Sequence, residues 1–144
     1  MKIKNVILSI IALVFVMNTA MAQDVFGKWK TVDDNTGEVK SIVEIFKKDG
    51  KVFGKVLEIL NKEHKNDTCK ECPGELKNTP IEGLVIIKNL EKDDDEYNDG
   101  TIMDPENGKE YKCYIKLEEN DKLKVRGYIG FAALGRTQYW YRAE

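Results

Sequence analysis

Serine and histidine are nearly missing from this 144-residue chain. Past residue 22 there is one of each, Ser41 and His64, so a Ser/His/acid arrangement would have to join a mid-strand hydroxyl to a ring on a polar loop. No nucleophile-elbow or zinc-protease helix motif is present. Hydrolase chemistry of those kinds is set aside, and neither a catalytic residue nor a cofactor is expected. Excess positive charge is also missing: 23 Lys+Arg stand against 25 Asp+Glu. A mildly acidic chain with interspersed charges lacks the electrostatic footprint of a nucleic-acid binder. Finally, no segment beyond the first residues shows sustained helical periodicity or enough apolar length to cross a bilayer as a helix.

The one long apolar stretch stands at the start, in "MKIKNVILSIIALVFVMNTAMAQ". Lys2 and Lys4 precede a run over residues 6–16 whose one polar residue is Ser9, and small residues close it at Ala20-Met21-Ala22. That order is the signature of a secretory signal peptide, with cleavage expected after Ala22. Gln23, not Cys, stands directly after the expected cleavage point, so ordinary lipid attachment there is not available. Residues 23–144 are then a single domain with 21 basic against 25 acidic side chains, a formal charge of −4, expected to be soluble and periplasmic or extracellular.

Beyond the leader the chain breaks into short alternating runs with turn chemistry between them. "DVFGKWKTV" puts Val25, Gly27, Trp29 and Thr31 on one side of an extended strand, and "VKSIVEIFKK" does the same for Val39, Ser41, Val43 and Ile45. Asp49-Gly50 reads as a tight hairpin into "VFGKVLEIL". Residues 61–80 form the longest polar connection; "IEGLVIIKNL", an acidic run "EKDDDEYNDG" and "TIMD" follow. In "DPENG", Asp104 and Gly108 bracket a turn, with Gly108 free to take a left-handed conformation. The last runs are "KEYKCYIKLE", "KLKVRGYIG" and "RTQYWYRA". About eight strands at regular spacing predict an all-β, antiparallel up-and-down β-barrel, with a five-stranded oligonucleotide-binding barrel and a sandwich as the competing architectures.

Three features bear on chemistry. Asp95, Asp99, Gly100 and Glu106 fall at EF-hand positions, yet Tyr97 sits where an oxygen ligand is required and the flanking helices are missing, so the run is read as solvated charge beside a strand. "CKEC" at residues 69–72 fits a redox couple, half a zinc site or a local disulfide. Pro73-Gly74 and the β-rich surroundings argue against a thioredoxin-like site, and an oxidising compartment favours a Cys69–Cys72 disulfide. A metal site would need His64, Cys69, Cys72 and Cys113 together; Cys113, alternating with Tyr111 and Ile115, otherwise reads as a small core residue. Aromatic and basic residues crowd the end of the chain. Arg126, Tyr128, Arg136, Gln138 and Trp140 are the candidate lining for an anionic or polar ligand head, while Trp29 and Arg142 are expected to meet where the first and last strands close the barrel.

The stretches "DVFGKWKTVDDNTGEVKSIVEIFKKDGKVFGKVLEI", "GTIMDPENGKEYKCYIKL" and above all "DKLKVRGYIGFAALGRTQYWYR" resemble the small exported bacterial family known as domain of unknown function 2147. One departure is "EYNDG", where the family more often has Trp followed by glycines, so an aromatic role there falls to Tyr97. The resemblance implies an envelope or periplasmic protein with no established reaction. Gly27, Trp29 and Arg142 are similar to the pattern by which lipocalin-like barrels close their base, which is an analogy of fold. The expectation is a non-enzymatic barrel that binds a small hydrophobic or amphipathic ligand, or a piece of the envelope, in its mouth. An envelope interaction module using the 61–80 loop is the alternative, and a metal-handling or redox protein is the third.

Overall fold

The computed structural model describes residues 24–143, so the expected leader at 1–22 lies outside the described residues. Eight strands follow one another: β1 (Gly27–Val32), β2 (Val39–Lys48), β3 (Lys51–Ile59), β4 (Val85–Asp93), β5 (Glu96–Met103), β6 (Glu110–Glu119), β7 (Lys122–Tyr128) and β8 (Gly135–Arg142). Every strand pairs antiparallel with its neighbour in sequence, and β8 returns to β1, closing the barrel. Closure leaves no strand edge open, and each strand buries alternate residues on the inside.

The hairpins at the end called here the base are tight. Asp49 and Gly50 take φ 52° and 78°, the left-handed pair that a two-residue turn with the right strand twist requires. The acidic run at residues 91–100, expected as a solvated stretch beside a strand, is itself the β4–β5 hairpin, in which Lys92 pairs with Tyr97 and Asp93 with Glu96. Period-two alternation explains this: Tyr97 turns inward and is buried, while Asp93, Asp94 and Asp95 stay outside, Asp95 beside Lys116 at 3.0 Å.

At the base, Trp29 of β1 is in register with Arg142 of β8, whose guanidinium lies 4.2 Å from the indole centroid. Its fork donates to the carbonyls of Asn120 (2.9 Å), Phe26 (3.1 Å) and Asp24 (3.0 Å). Gly27, at φ 116°, passes beneath it, and a Cβ there would lie 3.5 Å from Nη1. Trp29 in turn donates Nε1–H to the Val25 carbonyl at 2.8 Å. One planar cation thus stacks on the floor residue and ties three loop carbonyls to it.

The interior is filled. Trp29, Val43, Ile45, Val52, Val56, Ile87, Leu90, Tyr97, Cys113, Ile115, Leu123, Val125 and Trp140 are all buried in one cluster. Three inward positions, Gly54, Gly100 and Gly127, are glycine where a side chain would be crowded, and a Cβ on Gly100 would fall on the Lys88 carbonyl. A Cβ on Gly54 would meet Ile87 Cβ at 3.0 Å and Ile45 Cδ1 at 3.1 Å, and one on Gly127 would meet Ile102 at 3.3 Å. Two surface concavities, one beside Lys28, Lys30, Ile42 and Leu57 and one beside Asp99, Thr101, Lys112 and Tyr128, both lie on the outer wall.

Candidate functional site

Four connections gather at the other end, the mouth: residues 33–38, 60–84, 104–109 and 129–134. The long 60–84 segment is folded down onto the barrel. Across its neck Cys69 N donates to Thr79 O and Asn78 N to Cys69 O, both 2.8 Å, and Thr68 bridges Pro80. Cys69 and Cys72 form a disulfide, with their Cα atoms 5.3 Å apart. The sulfurs are the inner surface of the segment: Cys69 is 0% and Cys72 3% exposed. Cys69 Sγ touches the Pro105 carbonyl at 3.4 Å and Cys72 Sγ touches Met103 Sδ at 3.7 Å. The segment, called the lid below, is therefore seated on the β5–β6 turn through its buried sulfurs.

That turn is shaped to receive it. The Asp104 side chain accepts from Glu106 N at 2.9 Å and from Asn107 Nδ2 at 3.2 Å, and its carbonyl accepts from Gly108 N at 2.7 Å. Gly108 sits at φ 70°, and a Cβ on it would fall on the Glu71 carbonyl, so glycine here serves both the turn and the close passage of the lid. On the other side, Glu82 accepts from Ile59 N at 3.0 Å and Lys40 reaches Glu106 at 2.8 Å.

The five residues expected to line a ligand site do not converge. Leu123 and Val125 point inward on β7, so Arg126 and Tyr128, expected on the lining, face outward instead. Arg126 donates to the Ala132 carbonyl and to Thr137 Oγ1, both at 2.8 Å; Tyr128 lies beside Tyr114 with centroids 6.3 Å apart. Gln138 and Trp140 do face inward, but they satisfy each other, Trp140 Nε1 donating to Gln138 Oε1 at 3.1 Å. Arg136, at the rim, is paired with Asp34, to which Gln138 also donates. Between β1 and β2 Thr31 and Ser41 share a hydroxyl–hydroxyl bond of 2.6 Å, while His64 is on the outside, 2.8 Å from Asp67. Ser41 and His64 thus serve separate contacts.

His64, Cys69, Cys72 and Cys113 are likewise not a ligand set: among the described residues no three His, Cys, Asp or Glu side chains come together as a metal site. Cys113 is buried in the wall, and desolvation pushes its thiol up to about 12, which keeps it a protonated core residue. Tyr97 is also pushed up to about 12, first by burial and then by its hydrogen bond to the Asp24 carboxylate, 3.0 Å to each oxygen.

What stands out at the mouth is a set of residues the chain pattern did not single out. Ile129, Phe131 and Leu134, on the β7–β8 tip, are 67%, 63% and 60% exposed. The tip is ordered by Ile129 N to Leu134 O and Leu134 N to Phe131 O, both 3.0 Å. One signal for it does exist in the sequence: "IGFAAL" is a turn built from apolar residues, where the other turns carry Asp, Asn and Glu.

With this geometry in place, comparison with known proteins is informative. A family model for an uncharacterized protein conserved in bacteria, DUF2147, matches residues 27–142. Among solved structures, protein HP1028 from Helicobacter pylori, described as belonging to the lipocalin family, superposes with a TM-score of 0.74. The two are 22% identical, over 85% of this chain and 84% of that one, a likeness of fold. No curated protein matches the chain.

Proposed function

The chain belongs to the bacterial family DUF2147, and on that premise we propose that it is an exported, non-enzymatic binding protein whose mouth end captures a hydrophobic or amphipathic molecule or envelope component. Export rests on the leader pattern of residues 1–22. The observation that carries the reading is a contrast: the barrel core is packed with buried side chains, while Ile129, Phe131 and Leu134 stand exposed together at the mouth. Clustered large apolar side chains in water mark a surface that meets something apolar. A lipocalin-like fold is compatible with such binding without specifying a ligand.

In this reading the 61–80 segment is a lid rather than a free arm, because its cysteines are buried against the β5–β6 turn. Native mass spectrometry and lipid extraction of protein isolated from its source compartment test the proposal. A bound amphiphile is expected, lost when Ile129, Phe131 and Leu134 are all replaced by Ser. Protein with nothing bound, or an amphiphile retained by the triple variant, overturns it.

A further inference from the structure

We propose that the apolar tip docks on the surface of an anionic lipid bilayer, an inference that rests on the mouth-end reading and names its partner. Two independent observations meet at the tip. The first is shape. Side chains exposed by 60–67% stand out from the surface, as groups that enter an apolar phase must. A six-residue tip also falls well short of the roughly 800 Å² per partner buried in a stable protein interface, which disfavours a second copy.

The second is charge. Residues 126–136 carry two arginines and no acid in a chain whose net charge is −2. The basic side chains are gathered at the root of the tip: Arg126 Nε donates to the Ala132 carbonyl at 2.8 Å, and Lys112 Nζ to the Gly130 carbonyl at 3.2 Å. Arg136 stands at the adjoining rim beside Asp34. These contacts stiffen the tip and hold cations behind the three apolar side chains. That spacing suits a membrane interface, where apolar groups enter the acyl boundary and ammonium or guanidinium groups stay at phosphate depth. A tip already ordered by its own backbone bonds loses little freedom on insertion.

The test is co-sedimentation of the purified exported chain with phosphatidylcholine vesicles, with and without about 30 mol% phosphatidylglycerol. Binding to the anionic vesicles is expected, weaker by about tenfold on the zwitterionic ones and in about 0.5 M salt. The triple Ser variant at 129, 131 and 134 should lose about tenfold or more, with an unchanged urea midpoint because those side chains pack on little. Phe131→Trp should blue-shift its emission on binding. No sedimentation of the wild type at low salt, or equal sedimentation of the triple variant, overturns the proposal. Binding of a monomeric alkyl amphiphile through the tip without vesicle binding overturns it while leaving the mouth-end reading standing; failure of both removes both. A wild-type dimer that the triple Ser change dissociates, without vesicle binding, overturns it in favour of a second copy.

Discussion

At the scale of single residues the most consequential side chain is Arg142. It stacks on Trp29 and satisfies three carbonyls of the base, so no shorter or non-planar group replaces it. Arg142→Ala should lower unfolding stability by about 2–4 kcal/mol, read from the urea midpoint, since charged hydrogen bonds and the stack are lost together. Arg142→Lys should restore little, because an ammonium cannot present the same fork. Cys113 and Tyr97 make a pH prediction. In the unfolded chain the thiol and the phenol ionise near 9.0 and 10.0; in the folded barrel both hold their protons to about 12. Between those values the native state binds more protons than the unfolded one, so stability falls as pH rises from about 9 to 12 and levels off above. Urea melts across that range should show the decline, and Cys113→Ala should flatten its lower part.

At the scale of elements the lid and the β5–β6 turn work as a pair. The disulfide closes only a four-residue loop, for which chain entropy gives about 2 kcal/mol, less than longer closures give. Cys69→Ala with Cys72→Ala should therefore leave the barrel folded, while the amides of Cys69 and Asn78, bonded across the neck of the lid, exchange faster with deuterium. Gly108→Ala should loosen the same amides without touching the sulfurs, at a cost of about 1–3 kcal/mol, because a methyl group there meets the Glu71 carbonyl at a positive φ. Gly130→Ala, at φ 74° with open space around it, is the comparison that carries backbone strain alone. Lid amides that respond equally to both changes would mean that the lid does not lean on the turn.

For the whole molecule, the filled interior turns an inward substitution into a cavity. Trp140→Ala should cost about 3–5 kcal/mol in urea unfolding, since the surrounding strands form a closed ring that can collapse only in part. The seam is the thinnest part of that ring. β1 and β8 pair at Trp29 with Arg142 and at Lys30 with Tyr141, whereas β2 and β3 pair from Ser41 with Ile59 down to Lys48 with Lys51. Sub-global opening should begin at the seam, with its amides exchanging ahead of those between β2 and β3, and Arg142→Ala should widen the gap.

Alternation with period two and the turn residues between the runs carried the eight strands and their meander order, because both signals are local to a few residues. The meeting of Trp29 with Arg142 was legible too, once the first and last strands of a closed ring must be neighbours. The parity of β7 was present in Leu123 and Val125, yet grouping aromatics and arginines by nearness along the chain puts Arg126 and Tyr128 on the wrong wall. The burial of Tyr97 and its bond to Asp24 were not legible, because they join residues 73 apart in sequence. Only the tertiary structure decided that the core is packed, that the 61–80 segment folds back with its sulfurs buried, and that the "IGFAAL" tip stands uncovered. Each depends on which distant surfaces meet, Cys69 with Pro105 or Ile102 with Gly127, and on how volumes add up across eight strands, and no local pattern contains those sums.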